Sequence, residues 1–214
     1  MAGIYNRSPE EHLKLISQFH KEAIGYKCPI NKDIKNNLGK TIEEYKVVIK
    51  KLKKYLDNHK ELLGAETEVF LRRAEDSVSI AENSNYIELI KRSMNRREIC
   101  LGNNSPLNIW DANEILAINI EDCCYDLIEM DGIQYLSKLK RKDIGLNFEK
   151  LIKVYCENEG LGTDSEKFML ALLSYPREFI KCFERYRLNK REWTKDEFIK
   201  NIEKAFKKDG NSLI

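Results

Sequence analysis

The chain has 214 residues, and its 37 basic and 35 acidic side chains leave a formal net charge of +2. Because nucleic-acid surfaces depend on an excess of positive charge, this balance argues against a nucleic-acid partner. No apolar run approaches the roughly 20 residues of a membrane-spanning helix, and the first residues lack a signal-peptide core. We therefore expect synthesis in the cytosol and no membrane partner.

The first part of the chain is predicted to be helical. Ser8 and Pro9 begin a helix that ends near Gly25, and the lone His20 in it is predicted to be a hydrogen-bonded structural residue. After a loop that contains Pro29, helices are predicted at about 41–63, 65–82 and 84–95. These segments are expected to form a helical platform.

The string Leu38-Gly39-Lys40-Thr41 ends like a phosphate-binding loop, G-x-x-x-x-G-K-[ST]. The first glycine of that motif is missing, because Ile34 occupies its position, and no apolar strand precedes it. Thr41 is therefore predicted to be a helix N-cap.

Strand patterns occur only in the middle of the chain, at 98–101, 108–110 and 115–120, and they predict one small hairpin sheet. Five further helices are predicted at about 127–141, 147–159, 164–174, 176–188 and 194–207, the last with a capping box of Thr194 and Glu197. The expected fold class is mainly α with a small β-hairpin sheet (α+β). We expect a single domain, 1–214, made of a helical segment (1–95), a hairpin (96–126) and a helical bundle (127–214).

None of the six cysteines belongs to a C-x-x-C pair or has a histidine at zinc-site spacing. We therefore expect neither a resident metal nor a disulfide framework. Four cysteines are predicted to be buried thiols: Cys28, Cys100, Cys156 and Cys182. The vicinal Cys123 and Cys124 are predicted to lie nearer the solvent, and cross-linking into an assembled layer is one hypothesis for them.

Two stretches in the hairpin resemble a phosphotransfer site, ICLGNNSPLNIW (99–110) and AINIEDCCYD (117–126). In kinases of the aminoglycoside and choline type, the first would read H-x-D-x-x-x-x-N after a strand, and the second I-D-x-[DE]. Compared with these patterns, Leu101 replaces the histidine, Asn103 the base aspartate and Asn119 the metal-binding aspartate. Asn108 and Glu121 keep the expected spacing.

The replacements bear directly on chemistry, because phosphoryl transfer depends on a carboxylate that accepts the hydroxyl proton and on Mg²⁺ that binds the phosphates. Asn103 has no basic oxygen, which lowers the rate by roughly 10²- to 10⁴-fold. Asn119 weakens the binding of Mg²⁺, which prefers carboxylates. The sequence therefore predicts that the chain is not an enzyme and that the five positions are degenerate.

The flanking sequence resembles the CotS-like spore coat family, whose members have an aminoglycoside/choline-kinase-like fold. The resemblance depends on four segments in order: LISQFHKEAIGY (15–26), NNLGKTIEEYK (36–46), FLRRAEDSVSIAENSNYIELIKRS (70–93) and LLSYPREFIKCFERYRLNKREW (172–193). It implies a protein-kinase-like C-terminal lobe without the small lobe that covers the nucleotide.

The resemblance also implies a function. We expect a catalytically inactive spore coat component, made in the mother cell, that binds other coat proteins or itself and needs no cofactor. One alternative is a small-molecule phosphotransferase completed by a separate small lobe, in which Asn108, Glu121 and Asp122 bind a metal–nucleotide complex. Another is a nucleotide- or small-molecule-binding pseudokinase.

Overall fold

The fold is mainly helical with small sheets, as the sequence predicts. The computed structural model describes residues 7–27, 34–62, 64–111, 115–142 and 145–214. Within these ranges the helices are α1 (Pro9–Ala23), α2 (Lys40–Asn58), α3 (Ala65–Glu82), α4 (Tyr86–Arg96), α5 (Glu129–Lys140), α6 (Phe148–Glu159), α7 (Thr163–Ser174), α8 (Arg177–Arg187) and α9 (Lys195–Asp209). The strands are β1 (Lys35–Asn36), β2 (Ile99–Cys100), β3 (Ile109–Asp111), β4 (Ile115–Ala117) and β5 (Cys124–Tyr125).

Two capping boxes define helix starts. The Ser8 hydroxyl accepts a hydrogen bond from Glu11 N, and the Glu11 carboxylate accepts one from Ser8 N, so α1 begins where Pro9 predicts. Thr194 and Glu197 make the same reciprocal pair before α9. The structure therefore confirms both predicted helix starts, which depend only on residues within one helical turn.

The prediction for Thr41 is wrong. Gly39, with a φ of 79°, is the N-cap of α2, and no side chain caps this helix. Thr41 therefore lies in the first helical turn, because the left-handed backbone at Gly39 turns the chain into the helix two residues before the predicted N-cap. The predicted helix at 41–63 also ends early, at Asn58, and a 3₁₀ turn (Lys60–Leu62) leads towards α3.

The strands form two small sheets, whereas the sequence predicts one hairpin sheet. In the first, β5 lies between β1, which is parallel to it, and β2, which is antiparallel. In the second, β3 pairs with β4 in an antiparallel hairpin, with Trp110 opposite Leu116. The predicted strand 115–120 ends at Ala117, because the chain turns at Asn119 with a φ of 56° into a 3₁₀ turn (Ile120–Asp122). The predicted turn residues 112–114 lie outside the described residues.

The core is formed mainly by the C-terminal helices and the inner faces of α1, α2 and α3. Its largest fully buried side chains include Tyr155, Phe168, Phe179 and Phe183. Two helix pairs are in the most extensive contact: α3 packs on α7, and α8 packs on α9. This body supports the loops that connect the strands.

Cys100, Cys156 and Cys182 are buried, as predicted. Cys124 is also buried, which contradicts its predicted position near the solvent, because β5 is the central strand of its sheet. Burial raises the pKa of Cys124 to about 12 and that of Cys123 to about 11, so both remain thiols at neutral pH. Cys28 lies outside the described residues. No described helix combines the length and the apolar character that a membrane crossing requires.

Candidate functional site

The loop between β2 and β3 is fixed to α5 by one buried carboxylate. Asp131, 2 % exposed, accepts hydrogen bonds from the backbone N–H groups of Leu101 (2.6 Å) and Gly102 (3.2 Å). The Asn104 amide donates to the Asp131 carbonyl, and the Gln134 amide donates to the Gly102 carbonyl. The loop therefore has a defined backbone conformation, although it belongs to no regular element.

A buried histidine supports the same carboxylate from the other side. His20 Nε2 lies 3.0 Å from Asp131 Oδ2, and its Nδ1 lies 2.6 Å from Glu159 Oε1. Burial by itself lowers the pKa of His20, but the hydrogen bonds to the two carboxylates raise it to about 9. His20 is therefore an imidazolium at neutral pH that donates from both nitrogens, which confirms its predicted structural role.

The donor atoms of His20, Cys100 and Asp131 lie within 4.8 Å of one another. Each already has a hydrogen-bond partner, since the Cys100 thiol donates to the Leu127 carbonyl at 3.1 Å. A doubly protonated imidazole has no lone pair for a metal. This cluster is therefore a hydrogen-bonded anchor for the loop.

Three of the predicted positions come together. The Asn108 amide donates to the Asn103 carbonyl at 3.1 Å, and the Asn119 amide donates to Asn108 Oδ1 at 2.9 Å. The other two positions lie apart from them, because the Leu101 side chain is buried in the core and Glu121 is exposed and does not line the adjacent cavity. The structure thus joins Asn103, Asn108 and Asn119 into a hydrogen-bonded frame and leaves Glu121 outside it.

A cavity of about 600 Å³ opens in front of this frame. Its lining residues include Asn103, four acidic residues (Glu44, Asp122, Asp126 and Asp131) and two basic residues (Lys35 and Arg177). Sequence reasoning missed Glu44, Lys35 and Arg177, because they come from three distant segments and no local pattern relates them.

Asp126 is the carboxyl group of this cavity that is best suited to accept a proton. Burial raises its pKa to about 7, although the hydrogen bond from Leu127 N opposes the shift. A general base works best when its pKa lies near the working pH. Sequence analysis does not single out Asp126, because nothing in the local pattern reveals its burial.

The cavity also offers an oxygen ligand for a hard cation such as Mg²⁺. The exposed Asp122 carboxylate lines the cavity, and Mg²⁺ is usually held by one or two carboxylates together with waters and phosphate oxygens. The Asn108 Oδ1 atom already accepts a hydrogen bond from Asn119. Asp122 is therefore the residue that would hold such an ion.

No protein-family model matches the chain, and no curated protein matches it. Among solved structures, three chains match. One is the crystal structure of an aminoglycoside phosphotransferase from Alicyclobacillus acidocaldarius subsp. acidocaldarius DSM 446, with a TM-score of 0.68 and 12 % sequence identity. The match covers 96 % of this chain and 65 % of that chain. The chain has a kinase-like fold.

This comparison supports the kinase-like part of the resemblance. It contradicts the prediction that the chain is not an enzyme, because the protein with the similar fold is a phosphotransferase. That prediction rested on the lost carboxylates at Asn103 and Asn119 and on the expected lack of a nucleotide-binding lobe, whereas the folded chain places Asp122 and Asp126 against the same cavity.

Proposed function

We propose that the chain provides the catalytic lobe of a small-molecule phosphotransferase of the CotS-like group, which binds both the acceptor and the metal-bound phosphates. The observation that carries this proposal is the cavity in which Asp122 and Asp126 face the loop anchored by Asp131. The similarity in fold to an aminoglycoside phosphotransferase supports it.

In this proposal, a hydroxyl of the acceptor attacks the terminal phosphorus of ATP. A new oxygen–phosphorus bond forms, the bond to ADP breaks, and Asp126 takes the hydroxyl proton. The Asn103 amide orients the acceptor, and Asp122 would hold Mg²⁺, which would supply positive charge to the phosphates. Because positioning and charge neutralisation contribute most of the catalysis of phosphoryl transfer, an intact frame with displaced carboxylates is compatible with turnover.

The first test is a thermal-shift titration with ATP and Mg²⁺. We expect a saturable, Mg²⁺-dependent rise in Tm, since a ligand that binds only the native state stabilises it. Asp122→Asn should reduce the rise, whereas the matched control Glu121→Gln should keep it, because Glu121 is exposed and does not line the cavity. An unchanged Tm at saturating ATP and Mg²⁺ would contradict the proposal.

The second test concerns turnover. Asn103→Asp and Asn119→Asp together restore both carboxylates of the pattern, and we expect the double variant to release ADP at least tenfold faster than the natural chain when acceptor is present. Asp126→Asn in the natural chain should lower the rate by about 10²- to 10⁴-fold, the usual contribution of a general base. An Asp126→Asn rate equal to that of the natural chain would exclude this base.

We further propose that the protein works in the spore coat, where it binds coat proteins after synthesis in the mother cell. The resemblance to the CotS-like family motivates this proposal. Four apolar side chains of the hairpin region support it by their exposure: Leu107 (53 %), Leu116 (44 %), Ile118 (46 %) and Ile120 (65 %). Exposed apolar groups that lie together are typical of protein contact sites.

A fluorescent fusion expressed during sporulation tests the location. We expect a ring of signal at the spore surface, and we expect Leu116→Ser with Ile118→Ser to make the signal diffuse. Ile199→Ser is the matched control, because Ile199 is 42 % exposed on α9. A diffuse signal from the natural chain would contradict the spore coat role and leave the phosphotransferase proposal standing.

A further inference from the structure

A second, smaller cavity adjoins the candidate site. It lies between the end of α5, the start of α8 and the end of α9 and has a volume of about 180 Å³. One water occupies roughly 30 Å³ in the liquid, so the cavity can hold a phosphate-sized group. Gln134 and Arg177 line both this cavity and the larger one. A group bound here would therefore lie next to the candidate site.

Basic side chains dominate this smaller cavity. Among the residues that the structure describes, its lining includes six basic side chains and one carboxylate, that of Asp209. The six are Lys138, Lys140, Arg141, Arg177, Lys181 and Lys208. Three separate helices contribute to this group, so the concentration of charge arises from the tertiary fold.

Nearby carboxylates compensate only part of this charge. Glu178 is 3.2 Å from Arg141 and 3.4 Å from Lys181, so one carboxylate serves two cations. Both oxygens of Asp209 accept backbone N–H groups at the start of α8, at 3.0 and 2.7 Å. Lys208 has no ion-pair partner among the residues that the structure describes. A positive excess therefore remains at the cavity.

The pKa values of the two lysines of α5 in this cavity, Lys138 and Lys140, are lowered. Burial lowers the pKa of Lys140 to about 8, and the nearby Arg73 lowers it further. Burial also lowers the pKa of Lys138, whose ammonium group donates to the amide oxygens of Asn104 and Gln134. An anion in the cavity would stabilise the charged form of both lysines.

Two hydrogen-bond donors of the cavity are unused. In the described part of the chain, four buried side-chain polar atoms have no hydrogen-bond partner, and two of them, Tyr175 Oη and Arg177 Nε, belong to residues that line this cavity. Tyr175 is 4 % exposed, and its ring stacks on Tyr45 with centroids 4.0 Å apart. Because buried polar groups are nearly always paired, these two donors are free to bind an oxygen acceptor that enters beside them.

We propose that this cavity binds the phosphate group of a phosphorylated small molecule, whose free hydroxyl reaches the candidate site. The inference rests on the proposed phosphotransferase function and names the chemical class of its acceptor. Arginine and lysine bind phosphate through charge-assisted hydrogen bonds, and Tyr175 adds a neutral donor. A cationic acceptor such as an aminoglycoside would instead be repelled by the basic side chains.

Isothermal titration calorimetry without nucleotide tests this inference. The probes are glycerol 3-phosphate, inorganic phosphate and glycerol. We expect saturable binding of both phosphate probes and none of glycerol. Lys208→Met should weaken the binding of glycerol 3-phosphate at least tenfold. The matched control Lys204→Met, on the same helix and outside the cavity lining, should leave the affinity unchanged.

A second variant separates binding from folding. Tyr175→Phe removes only a hydroxyl that has no partner in the free protein, so its Tm should equal or exceed that of the natural chain. Its affinity for glycerol 3-phosphate should nevertheless fall severalfold. A purely structural role of the hydroxyl would lower the Tm and spare the affinity.

Three outcomes would overturn the inference. They are no saturable binding of the phosphate probes, binding of inorganic phosphate without glycerol 3-phosphate, and affinities that stay unchanged in Lys208→Met and Tyr175→Phe. Because the titration contains no nucleotide, its failure is distinct from a failure of phosphoryl transfer. Binding of an aminoglycoside in place of the phosphate probes would retain the proposed function and exclude the anionic acceptor.

Discussion

Replacing Asp131 by asparagine should be among the most damaging conservative changes in the chain. The carboxylate accepts two backbone hydrogen bonds from the loop and a third contact from His20 at 3.0 Å. An asparagine side chain offers one oxygen, so its NH₂ group must face an N–H donor. The imidazolium also loses one of its two charge partners.

Breaking a buried charge pair by removing one partner costs about 3–5 kcal/mol. For a chain of this length, 1 kcal/mol corresponds to a change in Tm of about 2–4 °C, so Asp131→Asn should lower the Tm by about 6–20 °C. Urea and thermal unfolding followed by circular dichroism measure the loss. The control Asp122→Asn should change stability by less than about 0.5 kcal/mol, since Asp122 is exposed.

A double-mutant cycle sharpens the test. If His20 and Asp131 stabilise the loop as a pair, His20→Gln combined with Asp131→Asn should cost less than the sum of the two single changes. Asp131→Asn with a loss below about 1 kcal/mol would refute the claim that a buried ion pair anchors the loop.

The unfolding free energy should fall as pH rises through about 9, because the pKa of His20 is raised to about 9 in the folded protein. The contribution of His20 to stability is complete below the unfolded pKa of 6.5 and is lost above the folded pKa. The difference in unfolding free energy between the natural chain and His20→Gln, measured in urea across pH 6–10, should therefore shrink as the pH rises. A constant difference would contradict the raised pKa. Gly102→Ala should cost several times as much as Gly160→Ala: both glycines have positive φ, but only at Gly102 would a Cβ overlap a neighbour, the carbonyl of Asp122. Equal losses of Tm would exclude the overlap. Arg92→Met should cost about 3–5 kcal/mol, because it removes the guanidinium that pairs with the fully buried Glu129 and Glu98, of which Glu98 keeps Arg96 at 3.3 Å. Lys91→Met should cost under about 0.5 kcal/mol. Similar midpoints in urea for both variants would contradict this.

The helical part of the fold was largely predictable because its signals are local. The Ser8 capping box, the start of α3 at Ala65 and the Thr194 capping box depend on residues within one helical turn. The strands were less predictable. Strands β1 and β5 have two residues each, which is too short for any periodicity to appear.

The candidate site was predictable only in part. The spacing of Asn103, Asn108 and Asn119 indicated that these residues meet, and the two amide hydrogen bonds are consistent with it. Glu121 keeps the spacing of the pattern, but the left-handed turn at Asn119 ends the expected strand and carries the chain into a 3₁₀ turn, where Glu121 is exposed. A strand pattern cannot reveal such a turn in advance, since asparagine is common in both settings.

The sequence by itself determined which segments are helical, which strings resemble a phosphotransfer site and which carboxylates that site lacks, because each depends on neighbours along the chain. Only the tertiary structure decided the rest. It joins His20 to Asp131 and Glu159 across 111 and 139 residues, and it gathers the six basic side chains of the smaller cavity. Contacts between distant segments depend on how helices pack, and packing leaves no periodic trace in the residues that meet.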